Sequence, residues 1–126
     1  MAASPNSSIA LRRLVKRAQF LNAAKGTRAG RSGFSLQAIR ADDDAPGIGF
    51  TVTKKAGNAP ERNRIRRRLR AAVRACAGEW HAQHDYVLIG RREALGLPFS
   101  SLVTDLSSAI RKVHATRVTQ GSPRHE

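Results

Sequence analysis

A single cysteine, Cys76, cannot form a disulfide within the chain, and cysteine this sparse fits a reducing compartment. Acidic residues are scarce as well: 9 Asp plus Glu stand against 23 Lys plus Arg, a formal net charge of +14. Such an imbalance calls for a polyanionic partner, either nucleic acid or an anionic membrane surface. No apolar run approaches the ~20 residues of a spanning helix, which removes support for the membrane. The opening "MAASPNSS" lacks a basic stretch followed by an apolar one, so it does not read as a secretory signal. Both absences point to a cytoplasmic protein. There is no internal repeat and no zinc-ligand spacing. No Ser/His/Asp set or paired carboxylate appears, so catalysis by the chain alone has little support.

The 126 residues suffice for one compact domain with a modest core. Residues 1–8 are small and polar, and residues 116–126, "TRVTQGSPRHE", have no apolar period. Both ends are expected to be disordered, leaving one folded domain over 9–115. Leu11, Leu14, Val15, Ala18 and Leu21 share a stripe at helical spacing, predicting a helix over Leu11–Lys25. "GFSLQAI" (Gly33–Ile39) and "GIGFTVTKK" (Gly47–Lys55) alternate as strands do, and the polar loop "RADDDAPG" between them reads as a hairpin connection. "DYVLIG" (Asp85–Gly90) is a short strand-like run. Phe99, Leu102, Val103, Leu106, Ala109, Ile110 and Val113 place a last helix over Pro98–His114. The order of helix, strands, helix, strand and helix gives an α+β class.

One element carries most of the charge. Between residues 62 and 74 there are seven arginines and no lysine. Asn58, with Glu61 three residues on and Pro60 in the first turn, reads as a capped helix start. At about 100° per residue, Ile65, Leu69, Ala72, Val73 and Cys76 form one apolar stripe. Asn63, Arg67, Arg70 and Arg74 fall opposite it, Arg64 and Arg66 lie on the flanks, and Arg62 and Arg68 border it. A solvated basic face carries acidic residues at i,i+4, yet none follows Glu61. Guanidinium is planar, binds phosphate with paired hydrogen bonds and stacks on bases. The helix therefore reads as a nucleic-acid face. A strand follows it where a helix-turn-helix would need a second helix, which favours RNA.

"KKAGNAPERNRIRRRLR" closely resembles the signature of the bacterial ribonuclease P protein subunit. The matching residues are Lys54, Lys55, Gly57, Ala59, Arg62, Asn63, Arg64, Ile65, Arg66, Arg67 and Arg70, and the order of elements matches from Leu11 to His114. The resemblance implies a single α-β-β-β-α-β-α domain, ribosomal S5 domain 2-like. Its sheet would have four strands, with a left-handed crossover around the Arg-rich helix. It implies a role assisting a catalytic RNA that removes the 5′ leader of precursor tRNA, with Mg²⁺ held at the RNA and no metal or cofactor held by protein side chains alone. The protein would be monomeric without RNA. Arg62, Asn63, Arg64, Arg66, Arg67, Arg70 and Arg74 would contact the catalytic RNA.

A separate cleft between the first helix and an open sheet face would hold the single-stranded leader. Phe20, off the apolar stripe among Arg13, Lys16 and Arg17, suits stacking on an unpaired base; packing at the core edge is the other reading. Ser35, Gln37, Thr51 and Thr53 face away from Phe34 and Phe50 and could hydrogen-bond RNA, with Lys54 and Lys55 at the strand end. Gln37 and Ala23 stand where the family often has aromatics, which implies weaker stacking here.

Other residues attract simpler readings. His81 and His84 have a spacing that could bind metal, but without a third partner they read as surface histidines. Asp42, Asp43 and Asp44 read as a polar turn rather than a Mg²⁺ site. Trp80 and Tyr86 read as core or core-edge residues, and Cys76 continues the buried stripe. Two rival functions remain open at this point: a ribosomal-type structural RNA binder with no processing role, and a nuclease acting alone.

Overall fold

The most apolar strand-like run lies at the centre of the sheet. In the computed structural model, which describes residues 11–121, β5 (His84–Gly90) pairs on both sides. The other strands are β1 (Arg12–Arg13), β2 (Thr27–Gly30), β3 (Phe34–Arg40) and β4 (Gly47–Thr51), and the sheet order is β1-β4-β5-β3-β2. β5 runs antiparallel to β3 and parallel to β4, while β1 is parallel to β4. The helices are α1 (Arg17–Ala23), α2 (Ala59–Ala75) and α3 (Phe99–Gly121). The class is α+β, but the sheet has five strands rather than four.

Three expectations change, each for a physical reason. β3 and β4 are not a hairpin pair, because β5 is inserted between them. Strands buried on both faces read as continuous apolar runs, and Tyr86, Val87 and Leu88 are all buried. The first helix is half the expected length. Residues 11–16 are extended instead, with Arg12 and Leu14 amides donating to the carbonyls of Pro46 (2.8 Å) and Ile48 (3.0 Å). Leu14 is buried from this segment, while Val15 and Leu21 of the supposed stripe are 70% and 52% exposed. Strand-edge pairing outcompetes a helix whose apolar spacing arose partly by coincidence. β4 also stops at Thr51, and Lys54–Ala56 form a 3-10 turn.

The sheet separates two cores. On one face, Phe34, Leu36, Tyr86 and Leu88 meet Ile65 and Leu69 of α2 and Leu102, Leu106 and Ile110 of α3. Trp80 packs edge-on to Tyr86 with ring centres 4.8 Å apart, as core readings of both require. Phe99 departs from its stripe and is 42% exposed at the first turn of α3. On the opposite face α1 covers a smaller cluster of Leu14, Ala23 and Val87, flanked by Phe20, Ile39 and Ile89. α3 continues to Gly121, into the segment assigned to a tail. The disorder expected for 1–8, and for 122–126 at the other end, lies outside the described residues.

Candidate nucleic-acid interface

The Arg-rich helix begins where the sequence places it. Gly57 has φ of +147°, a backbone conformation that favours glycine, and this accounts for the glycine in the motif. The Asn58 side chain accepts from the Glu61 amide (3.0 Å), and a Glu61 carboxylate oxygen accepts from the Asn58 amide (2.9 Å), closing a capping box. The other Glu61 oxygen accepts from Arg92 at 2.9 Å. That bond, then the Asn58 amide, lowers the Glu61 pKa below its ordinary value. The one acidic group on this helix is therefore occupied at its end.

The helical phase holds through the whole element. Ile65, Leu69 and Ala72 are fully buried, with Val73 and Cys76 nearly so. Asn63, Arg64, Arg67, Arg70 and Arg74 are exposed, and Arg62, Arg66 and Arg68 are half-buried. The half-buried arginines have local work. Arg68 donates to the carbonyls of Ala94 (2.9 Å) and Leu97, bracing α2 on the turn before α3. Arg62 donates to the Gly57 carbonyl (3.2 Å), and Arg66 to the Asn63 side chain (3.1 Å). Asn63 thus aims a neighbouring guanidinium. Arg64, Arg67 and Arg74 have no ion-pair partner among the described residues.

A cleft of about 820 Å³ runs between the extended N-terminal segment, β4 and α2. Arg13, Phe20, Phe50, Arg66, Arg70 and Arg74 all line it. The surface around Phe20 and the arginine row are therefore contiguous rather than separate. Phe20 is half-buried and serves both readings: it flanks the second core and also lines the cleft. Gly49 makes this possible, since a Cβ there would lie 2.8 Å from the Phe20 ring. Sequence reasoning missed Phe50, which alternation assigned to the core. It is half-buried, with the Arg70 guanidinium 5.5 Å from its ring centre, a cation–π contact inside the cleft. Because β1 pairs only with Gly47 and Ile48, Phe50 lies just past the end of β1. No alternation pattern signals where a neighbouring strand stops.

The supposed open sheet face is not open. Gln37 is 4% and Ser35 7% exposed, because α1 packs across β3 and β5. Ala23 is fully buried as well. Thr51 is half-buried; Thr53, Lys54 and Lys55 are exposed, as are Arg13, Lys16 and Arg17. Of the polar residues expected on that face, Gln37 and Ser35 therefore do not reach solvent, while Thr51 and Thr53 do. His84 corrects another reading: it is buried, and His114 stacks on His81 with ring centres 3.5 Å apart. Tyr86 and His114 share a 2.7 Å hydrogen bond. Asp43 behaves as a turn residue, accepting from the Ala45 amide at 3.0 Å. Among the described residues no group of three or more His, Cys, Asp or Glu could hold a metal ion, and no helix is long and apolar enough to cross a membrane.

Comparison with known proteins supplies the biological frame. The Ribonuclease P family model matches residues 10–114. A protein named ribonuclease P protein component from Gluconacetobacter diazotrophicus is 52% identical, over 79% of this chain and 89% of its own length. One of the same name from Brucella melitensis is 46% identical, over 78% and 77%. Among solved structures, a Staphylococcus aureus RNase P protein mutant with defective mRNA degradation activity has a TM-score of 0.69 at 26% identity, covering 79% of this chain and 85% of that one. The Thermotoga maritima RNase P protein has a TM-score of 0.65 at 25% identity, covering 75% and 90%.

Proposed function

Because the chain belongs to the Ribonuclease P family, the protein component of an RNA-based endoribonuclease that processes tRNA, we propose a division of labour between two parts of one basic surface. The outer face of α2, with Asn63, Arg64 and Arg67 at its centre and Arg62 at its start, docks on the catalytic RNA. The cleft holds the single-stranded 5′ leader of precursor tRNA. Phe20 and Phe50 offer aromatic surface to unpaired bases, while Arg13, Arg66, Arg70 and Arg74 offer charge to phosphates. Lys16, Arg17, Thr51, Thr53, Lys54 and Lys55 extend the leader path along the rim. Gln37 supports this path from beneath α1 rather than by touching RNA.

The observation that carries this reading is the single cleft uniting an aromatic floor with an arginine wall. Unpaired nucleic acid is held by this combination, because every base has a face to stack and every linkage a charge to meet. The same reading assigns Mg²⁺ to the catalytic RNA, and no step runs through a metal on this protein. It also makes the protein cytoplasmic and monomeric without RNA. The β4–α2–β5 connection joins parallel strands; its left-handed sense and the S5 domain 2-like topology are part of the proposal.

The test is reconstitution with a bacterial catalytic RNA and a precursor tRNA. Leader removal at low Mg²⁺ should rise when the protein is added. A ribosomal-type RNA binder would bind RNA without that stimulation. Cleavage by RNA-free protein, abolished by a point substitution in this chain, would overturn the division of labour.

A further inference from the structure

One wall of the cleft is the extended segment 11–15, and its attachment is slight. β1 is two residues long, and a strand pairing this short is marginal alone. Its main-chain bonds are reinforced by one side chain. Arg12 reaches across β4 to Asp85 of β5, with Nη2 to Oδ1 at 2.5 Å. Its Nε donates to the Ala45 carbonyl at 2.7 Å and lies 3.3 Å from Asp43 Oδ1. The Asp85 side chain is 10% and that of Arg12 23% exposed, so this pair is shielded far better than a surface salt bridge. Gly47 leaves the space: a Cβ there would collide with Asp85 Oδ1 and lie 2.7 Å from Leu14 and 3.0 Å from Arg12. Two residues beyond Arg12, Leu14 enters the second core beside Phe20.

We propose that Arg12 and Asp85 are positioning residues: their ion pair fixes segment 11–15 at the distance from α2 that lets the cleft grip a single strand. The inference rests on the leader-binding reading of that cleft. Asp85 is not among the residues lining the cleft; Arg12 is, with its guanidinium engaged by Asp85 and the Ala45 carbonyl. Asp85 acts through Arg12, and Arg12 acts through the wall it anchors. A misplaced wall weakens a grip made by several weak contacts, as small displacements of positioning groups do in enzyme sites.

The experiment uses the reconstituted ribonucleoprotein with Asp85→Asn, which keeps shape and removes charge. Affinity is measured for precursor tRNA with its leader and for the same tRNA without it, well below the melting temperature. Amide exchange at Arg12 and Leu14 is followed in the free protein. The leader-dependent tightening should fall about tenfold, leaderless affinity should stay unchanged, and the two amides should lose protection while β3–β5 amides keep theirs. Should Asp85→Asn not fold, Arg12→Lys keeps the charge, gives up the Nε–carbonyl bond and should lose about threefold by the same measure. A folded Asp85→Asn protein with wild-type leader preference and protected amides overturns the inference. If the wild-type complex shows no leader preference while the amides are released in Asp85→Asn, the leader reading fails and the anchoring of segment 11–15 by the ion pair stands.

Discussion

Ile65 and Arg67 are two positions apart on α2 and should fail in opposite ways when cut to alanine. Ile65 is 0% exposed and packs so closely that a Cβ on Gly90 of the central strand would lie 2.7 Å from its Cγ2. Removing three buried carbons at ~0.8 kcal/mol each gives a transfer loss of about 2.4 kcal/mol. The cavity left under a helix pinned at its start by a capping box and at its middle by Arg68 cannot collapse freely, so the total should lie at ~2–5 kcal/mol. For a domain of this size that is a fall of roughly 8–20 °C in melting temperature. Arg67 is exposed and unpaired among the described residues, so Arg67→Ala should leave the melting temperature nearly unchanged. Its cost should appear in binding to the catalytic RNA, at ~1.5–3 kcal/mol for a lost charged hydrogen bond. Thermal unfolding and filter binding on both variants decide the matter. If Arg67→Ala unfolds the protein while Ile65→Ala does not, the assignment of faces on α2 is wrong.

Binding to the catalytic RNA should weaken steeply with salt, each phosphate contact adding about 0.7–0.9 to the slope of log affinity against log salt; a flat dependence would contradict the charged docking face. Phe20→Ala should cost ~1–3 kcal/mol for precursor tRNA with a leader and leave leaderless tRNA nearly unaffected, whereas equal losses would assign Phe20 to packing alone. Asn58→Ala should destabilise the fold by about 1 kcal/mol through loss of the cap, read by chemical denaturation. Burial, then the Glu79 charge, pushes the Cys76 thiol from 9.0 up to about 11. It should resist alkylation at pH 8 until the protein unfolds. Because the unfolded thiol ionises first, the stability linked to it is present below pH 9 and is lost as the pH climbs toward 11.

What the sequence made legible depended on how local the determinant was. The cap at Asn58, the stripe from Ile65 to Cys76 and the arginine row are set by spacing within one helix, and all lie where spacing puts them. Cys76 continues that stripe and was legible as core for the same reason. Segment 11–16 was misread because its partner is β4, more than thirty residues away, and periodicity contains nothing about that edge. Gln37 sits on the correct face of β3, but alternation cannot tell that α1 covers the face. β2, "TRAG", is too short and too polar to alternate, and only the family resemblance implied a strand before β3. Phe50 shows the converse, a residue of core parity that reaches the cleft because its neighbouring strand ends early.

These arginines also bear on how the protein and its RNA depend on each other. Among the described residues only three ion-pair contacts form, two made by Arg12 and one by Arg92. None involves an arginine of α2. Arg67, Arg70 and Arg74 are therefore held near one another without a compensating carboxylate, and their mutual repulsion opposes the folded state. Salt relieves that repulsion by screening, and a polyanion relieves it by binding only the folded arrangement, which raises stability as ligand concentration exceeds its dissociation constant. The free protein should thus melt higher as moderate salt is added, while the same salt loosens its hold on RNA. Opposite responses of stability and affinity to one variable are the signature of a charge row kept for a partner rather than for the fold. A melting temperature that falls with added salt in step with RNA affinity would instead assign these arginines a net stabilising role in the free protein.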